Sequence, residues 1–246
     1  MRTRWRDYVS RLAWERLGIP PEELEEVSGE RESYIPKDKS QRKRLALLIT
    51  NIKFSVKEYN RDGAERDEEN MKWLLEALGY RVEKYTNLTG QVHAAVRNFA
   101  ASPDHQDSDS TFVVIMSHGN IIENKDAILG VNYHHQQNPK DYFFVDDIFN
   151  HLNSVKCHDL IDKPKVILIQ ACRGAHTGGV EIQSDAIVHI EKDFISFKST
   201  LPGTSAYRHR DTERFFIMYI VEVFCKWAHA DHVMELFRKV NVKNPI

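Results

Sequence analysis

Short apolar runs alternate with longer amphipathic stretches over most of the chain. RLALLIT at 44–50, STFVVIMS at 110–117 and KVILIQ at 165–170 are nearly continuous in apolar residues, the pattern of strands buried on both faces. Between the first two, residues 64–78 carry Met71, Trp73, Leu74, Leu75 and Leu78 at helical spacing, and Gly79 supplies a stop. RVEKYT at 81–86 alternates as a second strand, and residues 89–100 and 145–152 read as helices. FISFKST at 194–200 reads as a further strand, followed by helical stretches at 214–228 and 231–239. The segment 174–191 is rich in small residues, has no period and reads as a loop. This order predicts an α/β fold, a mainly parallel sheet with helices on both faces. No internal repeat occurs, and no Gly-rich phosphate loop follows a strand, which speaks against a nucleotide-binding protein.

Composition narrows the function. The 246 residues are 41% hydrophobic and 28% charged, a globular balance with enough apolar material for a full core. Lys and Arg total 34 against 36 Asp and Glu, so no excess of positive charge attracts nucleic acid. The N-terminus lacks a secretory apolar region, and the longest apolar stretch, 215–221, stops at Glu222, so a cytoplasmic location is expected. Cys157, Cys172 and Cys225 are too scattered for a disulfide framework, and no C-x-x-C or H-E-x-x-H spacing occurs. No metal and no cofactor is expected. YHHQQ at 133–137 reads as an exposed loop, and KDKSQRKR at 37–44 as a solvated lead into the first strand. Residues 1–33 differ from the rest, with five arginines in the first 16 and then an acidic run, and read as a leader or the remnant of an upstream domain.

The chemistry centres on VILIQACRGAH at 166–176, where an apolar run ends in a cysteine. Parallel strands deliver such residues to a crevice at their carboxyl ends, so Cys172 is a candidate nucleophile. MSHGN places His118 directly after another apolar run, near the carboxyl end of a second strand on the same sheet edge. A thiol and an imidazole on neighbouring strand tips are the two groups that nucleophilic peptide hydrolysis needs first.

The pentapeptide QACRG with a histidine 54 residues upstream is similar to the caspase signature, in which the histidine precedes the cysteine by roughly 50 residues. With KDKSQRKRLALLI, RDGAERD, SDSTFVVIMSHG, DKPKVILIQACRG, HIEKDFISF and ELFRKV, the chain resembles the caspases, and most of all their inflammatory group, over about residues 34–240. The resemblance implies a six-stranded sheet, here expected at five to six strands, divided into a large subunit (34–185) and a small subunit (186–246), paired into a homodimer. It implies an aspartate-specific thiol endopeptidase with Cys172 as nucleophile and His118 as the proton carrier. The backbone N–H groups of Gly119 and Cys172 are expected to face the oxyanion, and the Tyr59 carbonyl to orient the imidazole. Arg61 and Arg208 match the two arginines of the primary specificity pocket, with Gln170 as a neutral third donor. A buried aspartate side chain needs such charge-assisted hydrogen bonds to replace its hydration. Tyr207 stands where an aromatic residue walls the next pocket, Ala206 where a serine is common, and His209 with Phe215 at the outer subsite. Asp185 is the expected self-processing site of a zymogen.

The resemblance also carries expectations about partners. Protein substrates with aspartate at the cleaved position, the homodimer of subunit pairs and an inflammasome platform engaged through an upstream domain all follow from it, with inflammatory cell death or cytokine processing as the setting. The family normally continues past ELFRKV to a last strand at the dimer seam, whereas this sequence stops at NVKNPI, so a C-terminally truncated chain is expected. An alternative follows: a catalytically weak isoform that binds and regulates full-length caspases. A protease of similar fold that cuts after Arg or Asn is disfavoured, because its pocket needs acidic or neutral groups where Arg61 and Arg208 stand.

Overall fold

In the computed structural model, the three apolar runs become neighbouring parallel strands. The structure describes residues 42–90, 92–172, 193–199 and 212–243; the side chains of Cys172, Ser199, residues 212–215 and Lys243 lie outside that description. The elements in chain order are β1 (Arg44–Thr50), α1 (Ala64–Ala77), β2 (Tyr80–Thr86), α2 (Val92–Ala100), β3 (Thr111–Ile122), β4 (Lys125–Leu129), β5 (Tyr142–Phe144), α3 (Asp146–Leu152), β6 (Lys165–Cys172), β7 (Phe194–Ser199), α4 (Thr212–Trp227) and α5 (Val233–Lys243). Five strands pair in parallel in the order β2-β1-β3-β6-β7. The outer half of β3 pairs antiparallel with β4, and β4 with β5, so the sheet has seven described strands where the sequence predicts five to six.

The two-residue period of the strands divides the core. Ala46, Leu48, Phe112, Val114, Met116, Val166 and Leu168 point to one side, where Met71, Leu74 and Leu75 of α1 meet Ile217, Ile220 and Phe224 of α4 and Phe237 of α5. The alternate residues Leu45, Leu47, Ile49, Val113, Ile115, Ile167 and Ile169 pack on the other side against Val96 and Phe99 of α2 and Ile148 and Leu152 of α3. Helices thus cover both faces, as the alternating pattern predicts. Each fully buried Leu or Ile adds roughly 1.5–3 kcal/mol. The strand β2 has β1 as its described neighbour and mixes half-buried with exposed positions, which explains its mixed sequence.

Three local expectations are corrected. The strand predicted at 110–117 does not stop at residue 117 but runs on to Ile122, because β4 takes over as partner after β1 ends at the Thr50–Met116 pair. The connecting turn uses Glu123 and Asn124, both at positive φ (52° and 59°), the geometry of a tight hairpin. The helix predicted from residue 89 starts at Val92, since Val92 N–H bonds the Thr89 carbonyl in a turn and Gly90 N–H donates to the Asp141 carboxylate. The basic lead is paired as well as solvated. Arg44 grips Asp109 through Nε (2.5 Å) and Nη2 (3.0 Å), and Lys43 reaches Asp104 (3.4 Å) and Asp107 (3.2 Å).

Gly79 sits just past the end of α1 at φ +86°, which lets the chain leave the helix and enter β2. No helix among the described residues is long and apolar enough to cross a membrane.

Candidate active site

Because β1, β3 and β6 are parallel, their carboxyl ends reach one edge of the sheet. That edge carries Asn51 just beyond β1, His118 in β3 and Cys172 as the last residue of β6. The β3–β6 ladder closes with His118 and Cys172 as direct register partners. His118 also marks the point where β3 changes neighbours, since Gly119 is the first residue to pair with β4, opposite Ile128. Cys172 thus lies within the final position of its strand rather than beyond it, and His118 lies inside a strand that continues.

The loop between β1 and α1 brings further groups to this edge. Its ends are tied, with Arg61 N–H donating to the Ile52 carbonyl at 2.9 Å and Phe54 N–H to Asn60 Oδ1 at 2.8 Å. Asn87, at φ 61°, accepts the N–H groups of Ile52 (2.8 Å) and Lys53 (2.9 Å) on its side-chain oxygen. The closed loop turns Tyr59, the end of a short 3-10 turn, toward the imidazole. His118 Nε2 bonds the Tyr59 carbonyl at 2.7 Å. A carbonyl only accepts, so Nε2 carries the proton and the lone pair of the neutral ring resides on Nδ1. Phe54 packs against the same ring at 5.0 Å between centroids and Tyr59 at 6.1 Å, fixing its plane.

Arg61 is buried at 4% exposure. Its Nη1 donates to the Asn51 carbonyl at 3.0 Å and its Nη2 to Gln170 Oε1 at 3.2 Å. Both of these acceptors are neutral oxygens, and together they orient the guanidinium. With its oxygen turned to Arg61, Gln170 presents its amide nitrogen as the donating end. Gln170 stands two positions before Cys172, so loop cation and strand tip are connected directly.

Asn51 is a further member of this group that sequence reasoning missed. Fully buried, it donates from Nδ2 to Ser117 Oγ (3.1 Å) and the Leu129 carbonyl (2.9 Å), and accepts Leu88 N–H on Oδ1 (2.8 Å). It thereby links the Arg61 anchor to the residue preceding His118. The signal that singles out Cys172 was present here too, a polar residue directly following a buried parallel strand.

The structure brings together His118, Gly119, Arg61, Gln170 and the backbone of Cys172. Arg208, Tyr207, Ala206, His209 and Asp185 lie outside the described residues, and so does the side chain of Phe215. The other two cysteines are buried, and burial raises both thiols, that of Cys225 to about 12, while Cys157 Sγ donates to the Ala100 carbonyl at 3.2 Å. Neither has the thiolate character a nucleophile requires.

The family model described as the caspase domain, Peptidase C14, matches residues 43–243. The chain belongs to the caspase family. It is 56% identical over 216 residues to caspase b of Danio rerio, covering 85% of this chain and 52% of that protein. Caspase a of Danio rerio is 52% identical over 221 residues, with 85% of this chain and 57% of that protein covered. Caspase-1 of Canis lupus familiaris is 41% identical over 244 residues, with 90% and 59% covered. The chain spans about half the length of the curated caspases it matches. The matched region contains every strand and helix described above, so the caspase domain and the α/β unit coincide.

Proposed function

We propose that this chain is an aspartate-specific cysteine endopeptidase of the inflammatory caspase type, in which Cys172 and His118 form the reacting dyad. The observation that carries the reading is their register pairing at the end of the β3–β6 ladder. Neighbouring strands run about 4.8 Å apart and paired positions share one side of the pleat, which supports the pairing of an imidazole with a thiol at this rung. Membership of the caspase family supports the same chemistry.

In this reading the Cys172 sulfur, as thiolate, attacks the scissile carbonyl carbon, and the carbonyl electrons move onto the oxygen. Backbone N–H groups of Gly119 and Cys172 stabilise that oxyanion. Collapse breaks the C–N bond as the amine takes a proton from the imidazolium of His118, leaving a thioester. Water then attacks the thioester while His118 Nδ1 accepts a proton, releasing the acid and restoring the thiolate. The bond to Tyr59 supports this sequence, because it keeps Nε2 protonated and assigns proton exchange to Nδ1.

Arg61, oriented by Asn51 and Gln170, supports recognition of a carboxylate, with Arg208 as its partner cation and Tyr207, Ala206 and His209 lining the adjoining subsites. The proposal includes a large subunit to residue 185 and a small subunit beyond it, self-cleavage after Asp185, a homodimer of these pairs, protein substrates in the cytoplasm and activation on an inflammasome platform. Similarity to caspase-1 and caspase-12 supports the inflammatory assignment.

Matched peptides that differ only in Asp, Asn or Glu at the cleaved position test the reading. The expected result is a preference for Asp over Asn of about 10³ or more in kcat/KM, since a pocket built to bind a charged group rejects its isostere strongly. Equal turnover of Asp and Asn peptides, or full activity in Cys172→Ala, contradicts it.

A further inference from the structure

On the face of the sheet covered by α2 and α3, His93 and His151 meet edge to face. They lie 58 residues apart in sequence, yet their Nε2 atoms are 3.0 Å apart and their ring centroids 4.4 Å, with planes at 81°. Both side chains are solvent-accessible, so neither contact is forced by a closed core. Two neutral imidazoles can share one proton across such a gap, with one Nε2 donating and the other accepting. They can equally turn both lone pairs toward one cation. Two nitrogens bound tetrahedrally at the usual zinc–imidazole distance are about 3.3 Å apart, so the observed spacing is within a few tenths of an ångström of a chelating bite.

We propose that His93 and His151 form a surface site for a borderline transition ion, of which Zn2+ is the natural member, with the two Nε2 atoms as protein ligands and water completing the shell. Among the described residues no group of three or more His, Cys, Asp or Glu side chains is placed to hold an ion, so this is a two-ligand, exchangeable site and not a closed structural one. The charged groups that act on His151 are Asp147, one turn before it in α3, and Arg97 and Lys156. A neutral ring is the form a metal requires. Two imidazole nitrogens suit ions that bond to nitrogen, whereas Ca2+ and Mg2+ require oxygen ligands that this pair does not supply. The ion would clip α2 to α3 at a position separate from the reacting dyad, which makes the site independent of the proposed activity.

The test uses the full chain with Cys172→Ala, which removes the reactive thiol, labelled with nitrogen-15 in its histidines. Zn2+ added below one equivalent at pH 7.5 should move the Nε2 resonances of His93 and His151 together and before those of the other histidines. Ca2+ and Mg2+ should move neither. His93→Gln should abolish the early response of His151, and His151→Gln that of His93, with affinity at this site falling at least the tenfold that loss of even an outer partner causes. Both positions are at the surface, so the variants fold, and unchanged amide spectra elsewhere verify this. Zn2+ taken up elsewhere while both rings stay unmoved overturns the proposal, and so does a response of one ring that survives replacement of the other.

Discussion

Arg61 donates from Nη2 to Oε1 of Gln170 at 3.2 Å, joining a loop residue to a strand-tip residue 109 positions later in the chain. In the proposed enzyme this bond sets the direction of the cation that receives the substrate carboxylate. Gln170→Glu therefore places a permanent anion where the substrate's charge belongs. Arg61 and the introduced carboxylate form an internal pair, so melting temperature should hold or rise while kcat/KM on Asp peptides falls by about 10²-fold or more, the effect of spoiling a buried charge pair worth roughly 2–5 kcal/mol. Unchanged kcat/KM in a folded variant removes Arg61 from the pocket.

Asn51 supports two parts of the site through four hydrogen bonds at 2.8–3.1 Å. Asn51→Asp keeps the acceptor for Leu88 N–H but sets a carboxylate oxygen against the Leu129 carbonyl, where a donor stood. We expect a loss of about 2–4 kcal/mol in stability, read by urea unfolding. Activity at a temperature well below the transition should fall as well, through a displaced Arg61. A variant as stable and active as the parent rules out this linking role.

Reactivity should separate the cysteines. Burial pushes Cys225 up to about 12 and raises Cys157, so both remain neutral thiols at ordinary pH. Iodoacetamide at pH 8 should modify neither in the folded chain and both in urea, as mass spectrometry reports. Folding holds the Cys225 proton more tightly than the unfolded chain does, so its stabilising contribution is whole below 9.0 and withdraws as pH climbs toward 12. Cys225→Val should show a shallower alkaline decline in melting temperature than the parent.

Asp109 behaves with the opposite sign. Burial opposes its ionisation, but the Arg44 fork and Arg42 outweigh that and hold its carboxyl below the ordinary range. Its contribution is present above about pH 4 and is lost as pH falls through its lowered value. Asp109→Asn should cost about 2–3 kcal/mol at pH 7, and the difference from the parent should shrink in acid. A constant difference across that range contradicts the assignment.

The main architecture was legible because each central strand is buried on both faces, leaving an unbroken apolar run that period alone identifies. β1 and the start of β6 match their predicted bounds, and α1 ends within a residue of its predicted end. The β4–β5 hairpin was not legible. β5 spans three residues, too short for any period, and the turn into β4 depends on Glu123 and Asn124 adopting positive φ, which glycine signals plainly and Glu does not. As candidates, Cys172 and Gln170 could be named from QACRG, His118 from MSHGN and Arg61 from RDGAERD, whereas for Asn51 the sequence offers only its place after a buried strand, and its linking role exists only once β1, β3 and the loop at Leu88 meet.

The most direct test of the central claim is covalent labelling of the folded chain by an irreversible peptide probe ending in an aspartyl ketone, read by mass spectrometry of the digested protein. The account predicts one probe mass on the peptide bearing Cys172, none on Cys157 or Cys225, and a large drop in labelling rate in His118→Ala. Absence of an adduct at Cys172, or equal labelling by the probe with Asn in place of Asp, contradicts it.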